Sequence, residues 1–458
     1  MINKVTPTNN FDFYRVDDQH CRHSHSCCQF VPQHILNDLQ MFNGVSLDTE
    51  IVPTHFGALS NEPSLSQKKI IDIQPSVHML RATRIQAFDH LKFDPSINAS
   101  IGFGAVSNDS QPTKEPKFEV YDLDGATDLK TRQGIPEYKV ALLGNKALLQ
   151  LPIDEWPPSA KNAYNTAQQV YKFYQSLFNR NSIDGKGMDI LSAVRLRTYV
   201  VYYDHTTQAS KIATDQNGQP IRIPENNAFW DGAVMAYGEG DGMIFSDFTA
   251  SKDVIGHELT HGVTEHACGL AYEEQSGALN EHISDVFGAI FRQWLKEEKD
   301  PITANWLIGD DCIKDDFKDM VKTRRFGHWN ALRSMSEPGN AYSVTKGNSK
   351  GVDPQPSHMN NYKTLPNTRE GDNGGVHINS GILNKAFHLF ATKVGGPAWE
   401  TPGKIWYQTI VDANFGKVNQ GQRYATFEDF RNATVNTAKK DFQGAVQALE
   451  DAWNEVGL

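Results

Sequence analysis

The feature that most constrains this chain is the pentapeptide HELTH at positions 257–261. On a helix, residues four apart lie on one face, so His257 and His261 can offer two imidazoles to a single cation. Glu258 follows directly and is held near that cation without being a ligand. Imidazole and carboxylate ligands with an open position suit zinc, which lowers the pKa of its water toward about 7. The pattern predicts a zinc-binding helix that carries its own general base.

A pair of acidic residues further along the chain supports this interpretation. Glu281 follows His261 by twenty residues, and Asp285 lies four residues further on. On a second helix both acids face the same way, so Glu281 can complete the zinc ligands. Asp285 can accept the other ring N–H of His257 and fix its tautomer. The alternative, histidines and acids on solvated helix faces, does not explain the apolar residues around the acids, such as Ile283.

A third histidine ligand is not predicted. The pattern HExxHxxGxxH requires Gly at position 264 and His at position 267, where this chain has Thr264 and Ala267. We expect His266 to lie at the surface or behind the ligands, which leaves Glu281 as the third ligand.

Charge and composition exclude several classes of protein. The 458 residues carry a formal net charge of -11, which argues against a nucleic-acid partner because phosphate binding needs a basic face. No stretch reaches the roughly 18 apolar residues of a membrane span, and the polar N-terminus shows no ordinary secretory signal. The five cysteines are placed too unevenly to predict a disulfide framework.

The pattern along the chain divides it into a leader and a more regular remainder. Residues 1–114 are irregular and contain a His/Cys-rich stretch at 20–28. They end near Ser100–Lys117, a tract rich in Gly, Ser, Asn, Asp and Pro that is typical of a linker.

Beyond the leader the pattern predicts regular elements. Short apolar runs predict strands at Ala141–Leu151 and Val194–Tyr203. Apolar residues at i, i+3, i+4 and i+7 from Val170 predict an amphipathic helix over Ala160–Phe178. After Asp253 the chain is expected to be largely helical.

The long run HELTHGVTEHACGLAYEEQSGALNEHISDVFGAIF resembles the core of the thermolysin family of zinc metalloendopeptidases, and the similarity extends from Phe118 to Leu458. The supporting blocks are Asn226–Tyr237, Ala331–Pro338 and Asp372–Lys385.

The short leader, with a loose match to a PPxLL motif from Val31 to Leu36, resembles the protealysin-like branch. This resemblance implies an α+β fold, with a two-lobed catalytic domain preceded by a pro-segment. The implied divisions are 1–114 for the pro-segment, 115–265 for the β-rich lobe ending in the zinc helix, and 266–458 for the helical lobe.

The resemblance assigns roles outside the zinc motif. Tyr272 and His377 match the groups that stabilise the oxyanion in the transition state, and Asp372 matches the acid that orients the histidine. The groups that would hold the substrate backbone are Asn227, Ala228 and Arg333.

The resemblance also implies an apolar pocket for the residue that follows the cut bond. Each CH₂ buried there contributes about 0.8 kcal/mol, so Leu, Phe or Ile would be preferred. The matching side chains are Phe245, Phe248, Val254, Ile308 and Leu332.

Calcium binding departs from the family pattern. Where several members have a string of acids, this chain has Arg292, whose charge would oppose a divalent ion. The two-calcium cluster is therefore not expected. A single weaker site would use Asp253, Asp310 or Asp311, and the alternative is a salt bridge from Arg292 to these carboxylates.

Three function classes share these zinc ligands. An aminopeptidase usually carries a GAMEN stretch, which this sequence lacks, and a non-catalytic zinc-binding module does not need Glu258, Tyr272 or His377. We therefore expect a metalloendopeptidase with one catalytic zinc, made as a self-processing precursor and acting as a monomer on peptides and proteins. The resemblance implies an extracellular location, and a cytoplasmic one is the alternative.

Overall fold

The N-terminal leader and its linker are described at a few positions only. The His/Cys-rich stretch at 20–28, most of Ser100–Lys117 and most of the predicted strand Ala141–Leu151 lie outside the described residues. No helix in the described part is both long and apolar enough to cross a membrane. The computed structural model describes residues 31, 35, 38–42, 114–123, 148, 151–204 and 209–458.

A mixed five-stranded sheet forms the centre of the first half. The first half contains β1 (Phe118–Asp122), β2 (Ile190–Tyr199), β3 (Val201–Asp204), β4 (Ala209–Ile212), β5 (Arg222–Pro224), β6 (Ala228–Trp230) and β7 (Val234–Gly238). All of these strands except β3 and β4 belong to the sheet. The order is β1–β2–β7–β6, and β5 pairs with the end of β2. β1 and β7 run parallel to β2, with Phe118 opposite Ile190 and Leu191 opposite Val234, whereas β5 and β6 are antiparallel to their neighbours.

The predicted strand Val194–Tyr203 is confirmed in kind, but the structure divides it at Val200. The end of β2 pairs with β5, whereas β3 pairs with β4 in a separate hairpin. The register between β2 and β7 also shifts after Ala193, where Arg195 has a φ of 58°. A bulge of this kind bends a strand, and the change of partner at Val200 ends it.

The predicted amphipathic helix is confirmed as α1 (Pro158–Phe178). Val170, Phe173 and Tyr174 are buried on one face of it, as the 3.6-residue period requires. Proline at the first helical position suits the start of a helix. Asn179, with a φ of 52°, ends it in the left-handed conformation.

The second half is mainly helical and is centred on α3. Its helices are α2 (Lys252–Ala267), α3 (Glu274–Lys296), α4 (Asp315–Thr323), α5 (Asp372–Val394), α6 (Thr401–Asp412), α7 (Phe427–Asp441) and α8 (Val446–Glu455). α2 and α3 can approach closely because Gly288 has no side chain: a Cβ there would lie 2.6 Å from the Asp253 carbonyl oxygen. Most of α3 is buried.

The stretch 301–361 departs from the expected helical character. Apart from α4 and a short 3₁₀ helix at Met359–Asn361, it consists of loops and short strands. In these, β8 pairs with β10 and β11 lies between β9 and β12. These strands are β8 (Leu307–Ile308), β9 (Gly327–Trp329), β10 (Arg333–Ser334), β11 (Tyr342–Lys346) and β12 (Ser349–Val352), followed near the C-terminus by the hairpin of β13 (Lys417–Asn419) and β14 (Gln422–Tyr424).

Two of the described leader residues, Asp38 and Phe42, pack on this second half. Phe42 is 4% exposed, and its ring contacts Phe317, Phe326 and Trp329 at centroid distances of 5.1, 5.9 and 6.4 Å. The Asp38 carboxylate accepts a 3.0 Å hydrogen bond from the Tyr342 hydroxyl. Part of the leader is therefore bound to the rest of the chain.

Candidate metal centre

Helices α2 and α3 bring three donor side chains together. The predicted ligands His257, His261 and Glu281 are 1%, 3% and 1% exposed, and their ligand atoms all lie within 4.8 Å of one another. The Nε2 atoms of the two histidines are 3.0 Å apart. Glu281 places Oε2 3.5 Å from His257 and Oε1 3.4 Å from His261. The three ligands predicted from the sequence thus meet at one point in the structure.

The hydrogen bonds behind the donors direct their lone pairs inward. His257 Nδ1 lies 2.9 Å from Asp285 Oδ1, and His261 Nδ1 lies 2.8 Å from Asn280 Oδ1. Both acceptors are oxygens, so each ring, when neutral, holds its proton on Nδ1 and offers the lone pair of Nε2. Two facing lone pairs beside a carboxylate form a donor set that suits zinc. Glu281 Oε2 is also buried and has no hydrogen-bond partner among the described residues, so the residues fit the ion.

Burial and the neighbouring charges shift the pKa values of these groups in different directions. Burial dominates at His261 and lowers its pKa to about 3. At His257 burial also lowers the pKa, but hydrogen bonds to Asp285 and Glu281 outweigh it and raise the value to about 9. The Glu281 carboxyl stays ionised, since three surrounding histidines hold its pKa well below the usual range despite burial. A metal ion binding here would therefore displace a proton from His257.

Glu258 lies beside the ligands and is fully buried. Its Oε2 accepts a 3.0 Å hydrogen bond from the backbone N–H of Trp230 in β6, whereas Oε1 has no hydrogen-bond partner among the described residues. Burial raises the pKa of this carboxyl to about 8. One oxygen is thus fixed and the other is available, as a group that exchanges protons requires.

Tyr272 and His377 lie on the other side of Glu281. The Tyr272 hydroxyl donates to Glu281 Oε1 and lies 3.2 Å from His377 Nε2. His377 follows a turn of positive-φ residues at the start of α5, and its Nδ1 is 2.5 Å from Asp372 Oδ1. Burial lowers the pKa of His377, but Glu281 and Asp372 outweigh it and raise the value. The structure therefore groups Tyr272, His377 and Asp372 with the ligands.

Asp285 and Arg333 form a buried ion pair behind His257. Arg333 donates from Nε and Nη2 to the two carboxylate oxygens at 2.9 and 2.7 Å. Burial raises the pKa of Asp285, but Arg333 and His257 outweigh that effect and hold it below the usual range. Asp285 is thus an ionised acceptor for the imidazole of His257.

Asn227 binds the leader through both groups of its side chain. Its Oδ1 accepts the Val31 N–H at 2.8 Å, and its Nδ2 donates to the Val31 carbonyl at 3.1 Å. Asn227 and Val31 are buried, as is Ala228 at the start of β6. The side chain expected to hold a substrate backbone therefore holds the backbone of the leader.

The five apolar residues assigned to a pocket all belong to the main core. Phe245 and Phe248 lie with their ring centroids 5.6 Å apart, and the Leu332 N–H donates to the Ile308 carbonyl at 3.0 Å. The exposed fractions are 1% or less for Phe245, Phe248, Val254, Ile308 and Leu332.

The residues considered for calcium are joined by a cation of the chain itself. Arg292 Nη1 donates to Asp253 Oδ2 at 3.1 Å and to Asp310 Oδ1 at 2.6 Å. Arg292 Nη2 donates to the carbonyls of Asn305 and Leu307. The structure thus shows the salt bridge that the sequence left as the alternative to calcium. Asp311 lies nearby with its pKa raised by burial, and His266 is exposed, as expected.

Sequence reasoning missed several residues of this site. Trp230 acts through a backbone N–H, which no side-chain pattern can reveal. Asn280 stands directly before Glu281, and its position was the only available signal. Trp406, His282 and Asn384 form a series of hydrogen bonds that ends at Asp285. They are distant in sequence and had no signal linking them.

Comparison with known proteins identifies a family that matches both halves of the chain. The family described as "Thermolysin metallopeptidase, catalytic domain" matches residues 108–265, and "Thermolysin metallopeptidase, alpha-helical domain" matches residues 268–458. Protease PrtS of Photorhabdus sp. (strain Az29) is 41% identical over 307 residues, which are 67% of this chain and 70% of that protein. An extracellular metalloprotease of Pectobacterium carotovorum subsp. carotovorum is 38% identical over 332 residues, 72% of this chain and 80% of that protein.

A solved structure is also similar. The precursor of protealysin, a metalloproteinase from Serratia proteamaculans, aligns with a TM-score of 0.56 and 34% identity. The alignment covers 76% of this chain and 89% of that one.

Proposed function

The chain belongs to the thermolysin family of zinc metallopeptidases, on its protealysin-like branch, and we propose how its residues share the hydrolysis of internal peptide bonds. His257, His261 and Glu281 hold the zinc, and Glu258 is the general base. The convergence of three buried donors, with two facing lone pairs and an unpartnered carboxylate oxygen, carries this proposal.

Zinc bound to these donors would supply a Lewis acid that lowers the pKa of a water and polarises the substrate carbonyl. Glu258 takes the proton through Oε1 while the Trp230 N–H keeps Oε2 in place, and it then passes the proton to the leaving amine. Burial raises the pKa of this carboxyl and so strengthens it as a proton acceptor.

The oxyanion that develops on the substrate is stabilised by Tyr272 and His377. Their hydroxyl and Nε2 lie 3.2 Å apart, so one oxygen can contact both. The raised pKa of His377 favours an imidazolium, which donates to a negative oxygen more strongly than a neutral ring does. Asp372 keeps the proton on Nδ1 and orients the ring.

Asn227, Ala228 and Arg333 hold the backbone of the bound peptide. The two hydrogen bonds between Asn227 and Val31 support this role, since the side chain already binds both the N–H and the carbonyl of one backbone residue. Leu, Phe or Ile is preferred after the cut, in a pocket built from the apolar side chains around Phe245 and Leu332. Burial of each additional CH₂ there adds about 0.8 kcal/mol.

Residues 1–114 form a pro-segment that the enzyme removes itself, leaving lobes at 115–265 and 266–458. The described part of the leader blocks Asn227 and is anchored through Phe42, so the precursor cannot hold a substrate in the same way. The polar tract near Ser100–Lys117 is the accessible place for a cut.

Calcium is not required, because Arg292 supplies the positive charge between Asp253 and Asp310. The enzyme acts as a monomer outside the cell. The relative from Pectobacterium carotovorum is an extracellular metalloprotease, which supports this location.

The central test combines turnover and metal content on one sample. Glu258→Ala should keep its zinc and lose about 10²–10⁴-fold in turnover of an end-blocked, internally quenched peptide. Glu265→Ala is a matched control on the same helix, since its carboxylate bonds the Trp230 indole rather than the donors, and it should turn over at nearly the wild-type rate. Cleavage of free-amino peptides alone would instead indicate an aminopeptidase, and no cleavage would indicate a zinc-binding module.

Self-processing is tested with the full chain. Mass spectrometry should find the wild type shortened by roughly 100–120 residues, the range set by the loop-like tract, while Glu258→Ala stays intact. Equal cutting of both would mean that another protease processes the leader, and an uncut wild type would mean that the leader is permanent.

A further inference from the structure

A line of buried polar side chains leads from the helical core to His257. Trp406 Nε1 lies 2.8 Å from His282 Nε2, and His282 Nδ1 lies 2.8 Å from Asn384 Oδ1. Asn384 Nδ2 lies 2.9 Å from Asp285 Oδ2, whose partner oxygen is 2.9 Å from His257 Nδ1. All five side chains are at most 1% exposed, and they come from α6, α3, α5 and α2.

The direction of every hydrogen bond in this line follows from its first member. An indole N–H can only donate, so His282 Nε2 accepts and His282 Nδ1 must carry the proton. The Nδ1–H of His282 donates a hydrogen bond to Asn384 Oδ1, so the amide NH₂ of Asn384 faces Asp285. The orientation of the amide is therefore set by chemistry and has no equally good flipped alternative.

Four nitrogen atoms lie 2.7–2.9 Å from the two oxygens of Asp285. Asn384 Nδ2 and Arg333 Nε donate to Oδ2. Arg333 Nη2 donates to Oδ1, and His257 Nδ1 lies 2.9 Å from the same oxygen. A carboxylate offers about four lone-pair sites, so it is saturated, and it cannot rotate without leaving a buried donor unpaired, which is costly.

We propose that Asn384, held by His282 and Trp406, is a positioning residue that keeps Asp285 in place and thereby sets the tautomer and orientation of His257 toward a divalent cation. This inference rests on the proposed role of His257 as a ligand. Asn384 touches neither the donors nor a substrate and acts only through Asp285. The line couples the metal end of α2 to the core between α3, α5 and α6.

The test measures zinc affinity by competition with a chromogenic chelator, using the full chain and zinc alone. Asn384→Leu should weaken zinc binding about tenfold, the lower end of the range for groups that hold a ligand. Trp406→Phe removes the indole N–H and leaves a smaller aromatic ring, so it should weaken binding in the same direction by less. It also serves if Asn384→Leu does not fold.

Asn379→Leu is the matched control. Asn379 is a buried asparagine of the same helix, but it bonds the backbone of Lys363 rather than Asp285. It should lower the thermal stability of the zinc-free protein and leave zinc affinity unchanged. If Asn384→Leu behaves like this control, the inference is overturned.

A double-mutant cycle separates positioning from general support. In an Asp285→Asn background, Asn384→Leu should change zinc affinity less than twofold, since the residue through which it acts is already altered. A full tenfold loss in that background would overturn the inference. His257→Ala tests the ligand assignment separately from the proposal for Asn384. Retention of zinc by that variant would refute the proposed ligand set, whatever the result at Asn384.

Discussion

The same pair of helices, α2 and α3, builds two buried clusters of acids with opposite outcomes. At one end, His257 and His261 of α2 face Glu281 of α3, and Glu281 Oε2 and Glu258 Oε1 have no hydrogen-bond partner in the part of the chain that the structure describes. At the other end, Asp253 of α2 faces Arg292 of α3.

Both carboxylate oxygens of Asp253 in the second cluster accept hydrogen bonds. Asp253 Oδ1 accepts from Ser251 and from the Val254 N–H, and Oδ2 accepts from Arg292 and from the Gly309 N–H. Buried polar atoms are normally paired. Unpaired acceptors therefore mark the end that needs an external cation, and the guanidinium marks the end that has its own.

The largest effect should come from removing a ligand at the first end. Glu281→Gln should lose its zinc and with it all measurable turnover, because the ligand loses its charge. Asp285→Asn, which acts through His257, should weaken zinc by roughly 10–100-fold. Chelator competition ranks the two variants. If Asp285→Asn bound zinc more weakly than Glu281→Gln, the ligand and its support would have to be exchanged.

The next largest effect should come from removing the internal cation. Arg292→Ala leaves buried carboxylates without their partner, which costs about 3–5 kcal/mol in the free energy of unfolding. Lys318→Ala is the control, because this lysine bonds near the same acid, through the Asp310 carbonyl, but is partly exposed and should cost only about 0–1 kcal/mol. Urea unfolding measures both. Equal costs would mean that the second cluster is not closed by Arg292.

The zinc site should keep its metal when a neighbouring residue that is not a ligand is removed, although turnover should fall. His377→Ala should lower turnover by about 10²–10³-fold, the cost of one oxyanion donor, while zinc content per mole of protein stays constant. Metal analysis and peptide hydrolysis on one preparation decide this. A parallel fall in zinc would show that His377 binds the metal or supports the ligands.

The smallest effect should be that of calcium. Because Arg292 occupies the position between the acids, added calcium or a calcium-selective chelator should leave the melting temperature unchanged. If calcium did bind, a free calcium concentration of about 100 times its Kd would stabilise the fold by about 2.7 kcal/mol. A shift of that size would contradict closure by Arg292 and restore a calcium site at Asp253, Asp310 or Asp311.

Much of the fold follows from local pattern. The helix predicted over Ala160–Phe178 matches α1 within two residues at its start, because its apolar face repeats with the helical period. The strand predicted over Val194–Tyr203 is divided in two, because the break depends on which strand each part pairs with. Strand pairing is a long-range property that alternation alone does not encode.

The chemistry of the zinc helix is encoded locally in the chain. In HELTH the spacing of His257 and His261 is set by the helical repeat, and no other part of the chain is needed to place them on one face. Only the tertiary structure decided how those groups are held and charged. Trp406 reaches His282 across 124 residues, and burial raises the pKa of Glu258 to about 8. Desolvation and hydrogen bonding depend on which side chains surround a group in space, and that surrounding exists only once the helices have packed.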